Sequence, residues 1–161
     1  MTAAGPGVES VWDYPRPPAV RSARGTLVEV WFAGMLIAST TEAVRVLETS
    51  HPPVYYLPAD DVATDILRAG DGSSVCEWKG HARYWDAQVG ERRAERVAWS
   101  YPRPEPAYRE LTGRLAFYPG RVDLCTVDGE TVHAQEGDFY GGWITGAIIG
   151  PFKGAPGTAG W

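Results

Sequence analysis

Cysteine is nearly missing from this chain: Cys76 and Cys125 are its only thiols, far apart and with no Cys-x-x-Cys pair. Zinc knuckles and thioredoxin-type redox sites therefore have no basis. Both thiols sit among apolar neighbours and read as reduced, small core filler. Histidine is equally scarce. His51, His81 and His133 include no helix-spaced pair, whereas a metal centre needs three or four converging ligands, so neither a metal nor a cofactor is expected. No stretch approaches the ~20 apolar residues of a membrane span, and the opening Met1-Thr2-Ala3-Ala4-Gly5-Pro6 has neither a positive nor an apolar leader region. The reading is a cytoplasmic protein with no membrane partner. Basic runs are absent too: 15 Lys and Arg stand against 20 Asp and Glu, a net charge of -5, which argues against nucleic acid as a partner. Nor is there a Gly-x-x-x-x-Gly-Lys loop, and Asp60-Asp61 are adjacent, so a strand would point them to opposite faces. Phosphoryl transfer needs carboxylates placed for magnesium and a cradle for the triphosphate. The sequence supplies neither.

Aromatic side chains are what the chain has in plenty, with 7 Trp and 8 Tyr among 161 residues. Indole and phenol tips need partners when buried, which suits a pocket as well as a core. The length and 44% hydrophobic content fit one domain that buries about 70% of the surface its unfolded chain exposes. Three prolines in Val11-Trp12-Asp13-Tyr14-Pro15-Arg16-Pro17-Pro18 forbid a helix and impose an extended arm, docked on the body through Trp12 and Tyr14. The phrase returns as Trp99-Ser100-Tyr101-Pro102-Arg103-Pro104. We divide the chain into a Pro-rich arm (1–24), a β-rich core (25–141) and a Gly-rich wrap (142–161).

Hairpin grammar dominates the core. Residues 26–32 and 35–39 flank Ala33-Gly34, and residues 86–89 and 92–99 flank Gly90-Glu91. Residues 115–118 and 121–127 flank Pro119-Gly120, predicting a third hairpin. Asp71-Gly72-Ser73 reads as a turn. It precedes a central hairpin over Cys76–Trp85, turned at Lys79-Gly80, with Trp78 opposite His81. A straight run through Gly80 would instead put Glu77, Lys79, His81, Arg83 and Trp85 on one face. Pro104–Leu111 is the best helix candidate, with Tyr108 and Leu111 on one side and Gly113 ending it. The fold class is mainly β with a minor α component: a small single domain of antiparallel sheet with one or two short helices.

Five phrases carry a resemblance: Glu48-Thr49-Ser50-His51-Pro52-Pro53-Val54-Tyr55-Tyr56, Cys76-Glu77-Trp78-Lys79-Gly80, Tyr84-Trp85, Ala98-Trp99-Ser100-Tyr101-Pro102 and Ala116-Phe117-Tyr118-Pro119-Gly120. From about Val28 to Val132 the chain resembles the family catalogued as domain of unknown function 427, also labelled nucleotidyltransferase-like. Its arm and tail are similar to the extended form of actinobacterial members. The resemblance implies a β-tent or barrel-like sheet, the group of the drug-binding domain of cereblon and the B-type methionine sulfoxide reductases. Those relatives hold zinc through paired cysteines, which this chain lacks. Likeness of fold transfers no activity.

The candidate site gathers the aromatic and ionisable residues of these phrases. His51, fixed by two prolines and three residues after Glu48, is placed to act as a general base near neutral pH; a loop hydrogen bond is the competing structural role. His81 is a second acid-base candidate or part of a solvated edge. Lys79 is a desolvated nucleophile, an anion clamp or an exposed turn residue. Tyr55, Tyr56, Trp78, Trp85, Trp99 and Tyr101 are expected to wall a pocket oriented by Glu77, Lys79 and His81, with Glu48 as a further ligand-binding residue. Three functions are open on this evidence. The first is binding of a small polar or planar metabolite. The second is an enzyme using His51, His81 and Lys79 in the same pocket. The third is an interaction module acting through the arm. Homodimerisation is compatible with each.

Overall fold

The computed structural model describes residues 8–76, 78–137, 140–154 and 157–158. Its strands are β1 (Glu9–Ser10), β2 (Ala19–Ser22), β3 (Val28–Phe32), β4 (Met35–Thr40), β5 (Val44–Leu47), β6 (Val54–Pro58), β7 (Leu67–Cys76), β8 (Gly80–Val89) and β9 (Arg92–Ser100). They continue with β10 (Arg114–Phe117), β11 (Leu124–Val127), β12 (Glu130–Thr131), β13 (His133–Ala134), β14 (Trp143–Ile144) and β15 (Ile148–Ile149). Helical structure among the described residues is confined to short 3-10 turns. None is long and apolar enough to cross a membrane.

Turn chemistry sets the local pairing. Ala33 and Gly34 have φ of 53° and 74°, the two positive angles a type I′ turn requires, and they join β3 to β4. Asp128 and Gly129 repeat the device at φ 47° and 81° between β11 and β12. Seven strands form one antiparallel sheet in the order β2-β5-β6-β10-β9-β8-β7, and β12-β11-β3-β4 form a second. Neither closes into a barrel. The chain is a single mainly β domain.

Side-chain alternation gives the large sheet two apolar faces. Leu57, Leu115, Phe117 and Tyr55 point to one face and pack with Val28, Val30, Phe32 and Cys125 of the second sheet, making the sandwich core. Val44, Val46, Tyr56, Ala116, Trp99 and Tyr84 point the other way and form a second cluster with Tyr101, Tyr108 and Leu111. Arm and tail meet beside it. β1 pairs in parallel with β15, the Trp12 indole donates to the Pro151 carbonyl at 2.8 Å, and the Lys153 N–H donates to the Ser50 carbonyl at 2.8 Å. Glu9 of β1 accepts from Arg45 and from the Tyr14 hydroxyl, both at 2.8 Å.

Four local expectations are corrected. First, Leu115–Phe117 and Leu124–Val127 do not pair. β10 is an interior strand between β6 and β9, while β11 pairs β3 and β12. Pro119–Arg121 is a 3-10 turn that redirects the chain to the other sheet instead of folding it back. Second, Asp71-Gly72-Ser73 lies inside β7, where a register shift between Ala69 and Ser73 absorbs the irregularity. Third, Pro106–Leu111 is 3-10 and kinked at Tyr108, although Tyr108 and Leu111 are both buried. Fourth, the central hairpin pairs Cys76 with Gly80 and Val75 with His81, so Trp78 belongs to the turn and opposes nothing.

Candidate functional site

The register of the large sheet lines up one row of side chains across five strands. Val44 lies opposite Tyr56, Tyr56 opposite Ala116, Ala116 opposite Trp99, and Trp99 opposite Tyr84. Tyr56, Trp99 and Tyr84 of this row floor a cavity of about 370 Å³. Ala116 is the small residue between two large rings, and it lets Tyr56 and Trp99 meet edge to face at 6.1 Å. The Trp99 indole donates to the Tyr56 hydroxyl at 3.2 Å within the buried cluster. Tyr118 packs on Trp99 at 4.5 Å and Tyr101 faces Tyr56 at 6.3 Å. Burial pushes the hydroxyls of Tyr56, Tyr101 and Tyr118 above the usual phenol range, so at neutral pH they are uncharged O–H groups.

Two rims rise from this floor. One is the β7–β8 hairpin, which supplies Ser74, Val75, Cys76, Trp78 and Lys79. Gly80 begins β8 at φ +107°, a backbone that side-chain-bearing residues rarely adopt, and the carbonyl of Lys79 accepts from the Glu105 N–H at 3.0 Å. The other rim combines Glu48, His51 and Pro52 with Arg16 of the arm, Gln135, Tyr140 and Gly141 from the end of the core segment, and Lys153 of the tail. Gly141 lies so close to the floor that a Cβ there would stand 2.3 Å from the Trp99 ring. Only glycine fits.

The rims carry the charge. His51 holds its Nδ1 2.9 Å from the Thr49 carbonyl. That oxygen can only accept, so the neutral ring carries its proton on Nδ1 and leaves the Nε2 lone pair free to accept. Burial lowers the imidazole below its ordinary 6.5, and the Thr49 hydrogen bond opposes that shift. The ring is therefore mostly neutral at pH 7. Arg16 donates to the same carbonyl at 3.0 Å and lies 3.6 Å from the Glu48 carboxylate. Lys153 reaches over the Tyr140 ring at 5.9 Å. Lys79 is only 9% exposed, and its ammonium stands 5.9 Å from the Tyr101 ring centre. Among the described residues, no carboxylate comes within 4.0 Å of it.

Glu48, His51, Tyr56, Trp78, Lys79, Trp99 and Tyr101 all line this cavity. Tyr55, Trp85 and His81 do not, and the period of two explains each. Tyr55 neighbours Tyr56 and so faces the sandwich core, with its ring 5.1 Å from Trp143. Trp85 neighbours Tyr84 and packs on the same core, its indole donating to the Ser100 hydroxyl at 3.0 Å. His81 is exposed opposite Val75. Glu77 lies outside the described residues. Cys125 is buried in the sandwich, but Cys76 is half-buried on the cavity wall, not core filler.

Tyr84, Tyr118, Tyr140, Arg16, Gln135 and Lys153 also reach the cavity and were not expected there. Alternation with Ala82 could have flagged Tyr84. Gln135, Tyr140 and Lys153 are placed by long-range packing and carry no local signal. A family model described as a domain of unknown function (DUF427) matches residues 19–128. The matched segment supplies the aromatic floor, His51 and Lys79, whereas Arg16, Gln135, Tyr140 and Lys153 come from outside it. No curated protein matches the chain.

Proposed function

The chain belongs to the DUF427 family, and we propose that it binds a small planar or polar metabolite in the aromatic-walled cavity. One observation carries this reading: Tyr56, Tyr84, Trp99, Tyr101 and Tyr118 converge on a hollow of about 370 Å³. Interiors that serve stability alone are close-packed and leave few voids larger than a water. The volume falls near the lower end of the roughly 300–1,000 Å³ usual for small-molecule sites, which pair apolar walls with a few placed polar groups. The acidic composition and the two free cysteines support the cytoplasm as its setting.

A thermal-shift screen against metabolites tests the proposal, since a ligand at a hundred times its dissociation constant adds about 2.7 kcal/mol of stability. Ala82 lines the hollow and is 2% exposed, so Ala82→Phe should fill it and abolish binding. A panel without a single hit, or a hit that Ala82→Phe binds as well as wild type, rejects the proposal.

The enzyme reading is favoured by one specific feature, the Nε2 lone pair of a neutral His51 on the cavity rim, in the protonation state a general base needs. In that reading Lys79 and Tyr101 stabilise developing charge. Turnover of a bound compound that His51→Ala abolishes without loss of affinity would establish it. Equal turnover by wild type and variant would remove it.

A further inference from the structure

We infer that the ligand of this cavity carries a single carboxylate, seated against the Lys79 ammonium, on an aromatic or otherwise planar body. The inference rests on the binding reading above and names its ligand class.

Lys79 is the starting point. An ammonium withdrawn from water without a counter-charge is costly; Lys79 is 9% exposed on the cavity wall, and among the described residues no carboxylate lies within 4.0 Å of its ammonium. Its ammonium stands over the face of Tyr101 at 5.9 Å, the outer limit of a cation–π contact. Among the described residues Glu48 is the one carboxylate lining the cavity, and Arg16 stands 3.6 Å from it. The described lining therefore carries more cations than anions in a protein whose net charge is -5. A local field opposite to the overall charge concentrates small anions at a cleft.

The donor set selects the kind of anion. Phosphate sites gather several donors, commonly a row of backbone N–H groups or an arginine fork. Lys79 offers a point charge beside ring faces instead, with the Tyr101 hydroxyl kept protonated by burial. One ammonium and one neutral O–H suit a single carboxylate. The Tyr56 and Trp99 rings behind them suit a flat, largely apolar body.

Matched acids and amides isolate the charge. Indole-3-acetate with indole-3-acetamide, and 4-hydroxybenzoate with 4-hydroxybenzamide, would be titrated by calorimetry into wild type, Lys79→Met and Lys79→Arg. The expected result is that the acids bind wild type about tenfold or more tighter than their amides, as a charge-assisted hydrogen bond implies. The gap should collapse in Lys79→Met and persist in Lys79→Arg. Should Lys79→Met fail to fold, the wild-type ratio and its decline with added salt decide the question. Equal binding of acids and amides, or a gap that survives in Lys79→Met, overturns the carboxylate while leaving the binding reading intact. So does a metabolite screen whose hits are all neutral. Silence from both pairs and from the screen overturns both.

Discussion

Tyr56 and Trp99 hold the cavity floor through a hydrogen bond between two buried side chains, Tyr56 1% exposed and Trp99 7%. Tyr56→Phe removes the acceptor and strands the indole N–H, a loss of about 1–3 kcal/mol for an unsatisfied buried donor. Urea denaturation should show that loss with the slope unchanged, and an unaltered midpoint would mean that the indole finds another acceptor. His51 makes its mark through pH. Burial sets its folded pKa below the 6.5 of the exposed group, so between those two values the unfolded chain binds more protons than the native one. Stability then rises with pH across that window, and the penalty is complete below the folded pKa and absent above 6.5. His51→Asn keeps a donor near the Nδ1 position for the Thr49 carbonyl and has no proton to bind, so its stability should vary less with pH than wild type across that window. Parallel curves would show that His51 does not titrate differently on folding.

The β7–β8 hairpin shows how much of an element local sequence can announce. Gly80 between segments rich in aromatic residues marks the reversal, and the reversal is there. Its register was not legible: Cys76 pairs with Gly80 and Val75 with His81, where a turn at Lys79-Gly80 would set Trp78 opposite His81, and the further shift of pairing at Asp71-Gly72-Ser73 is revealed only by the neighbouring strand. Similarly, Ala116-Phe117-Tyr118-Pro119-Gly120 has the grammar of a hairpin, yet the preceding strand is claimed on both edges by β6 and β9. Tertiary pairing overrides the turn signal wherever a strand has apolar residues on both faces, as Leu115, Ala116 and Phe117 do. The hairpin's own weak point is Gly80. Its φ of +107° makes Gly80→Ala strained by about 1–3 kcal/mol, and the strain falls beside Lys79. The variant should melt lower than wild type and lose affinity for any ligand that uses the ammonium. A melting temperature equal to that of wild type would show that the turn relaxes into an ordinary conformation.

At the scale of the whole molecule, one sheet presents one face to the sandwich core and the other to the cavity because its side chains are segregated residue by residue. That period of two was available in the sequence, and applying it to Tyr55-Tyr56 and Tyr84-Trp85 would have kept Tyr55 and Trp85 out of the proposed pocket. What no local rule could supply is the far rim, where Arg16 and Lys153, separated by most of the chain, are brought to the His51 loop by the arm and tail. The segregation implies that stability and binding respond to different substitutions. Leu57 is fully buried in the sandwich, so Leu57→Ala opens an enclosed void and should cost about 2–5 kcal/mol. That is a large share of the roughly 5–15 kcal/mol by which domains are stable. Because Leu57 and its neighbour Tyr56 point to opposite faces, the cavity floor should keep its shape in the fraction that remains folded. Calorimetry at low temperature with a hit from the screen should therefore give wild-type affinity for Leu57→Ala, while Ala82→Phe, on the other face, loses binding. If Leu57→Ala weakens binding as much as it weakens the fold, the two faces are not independent, and the cavity is better understood as a consequence of core packing than as a site held apart from it.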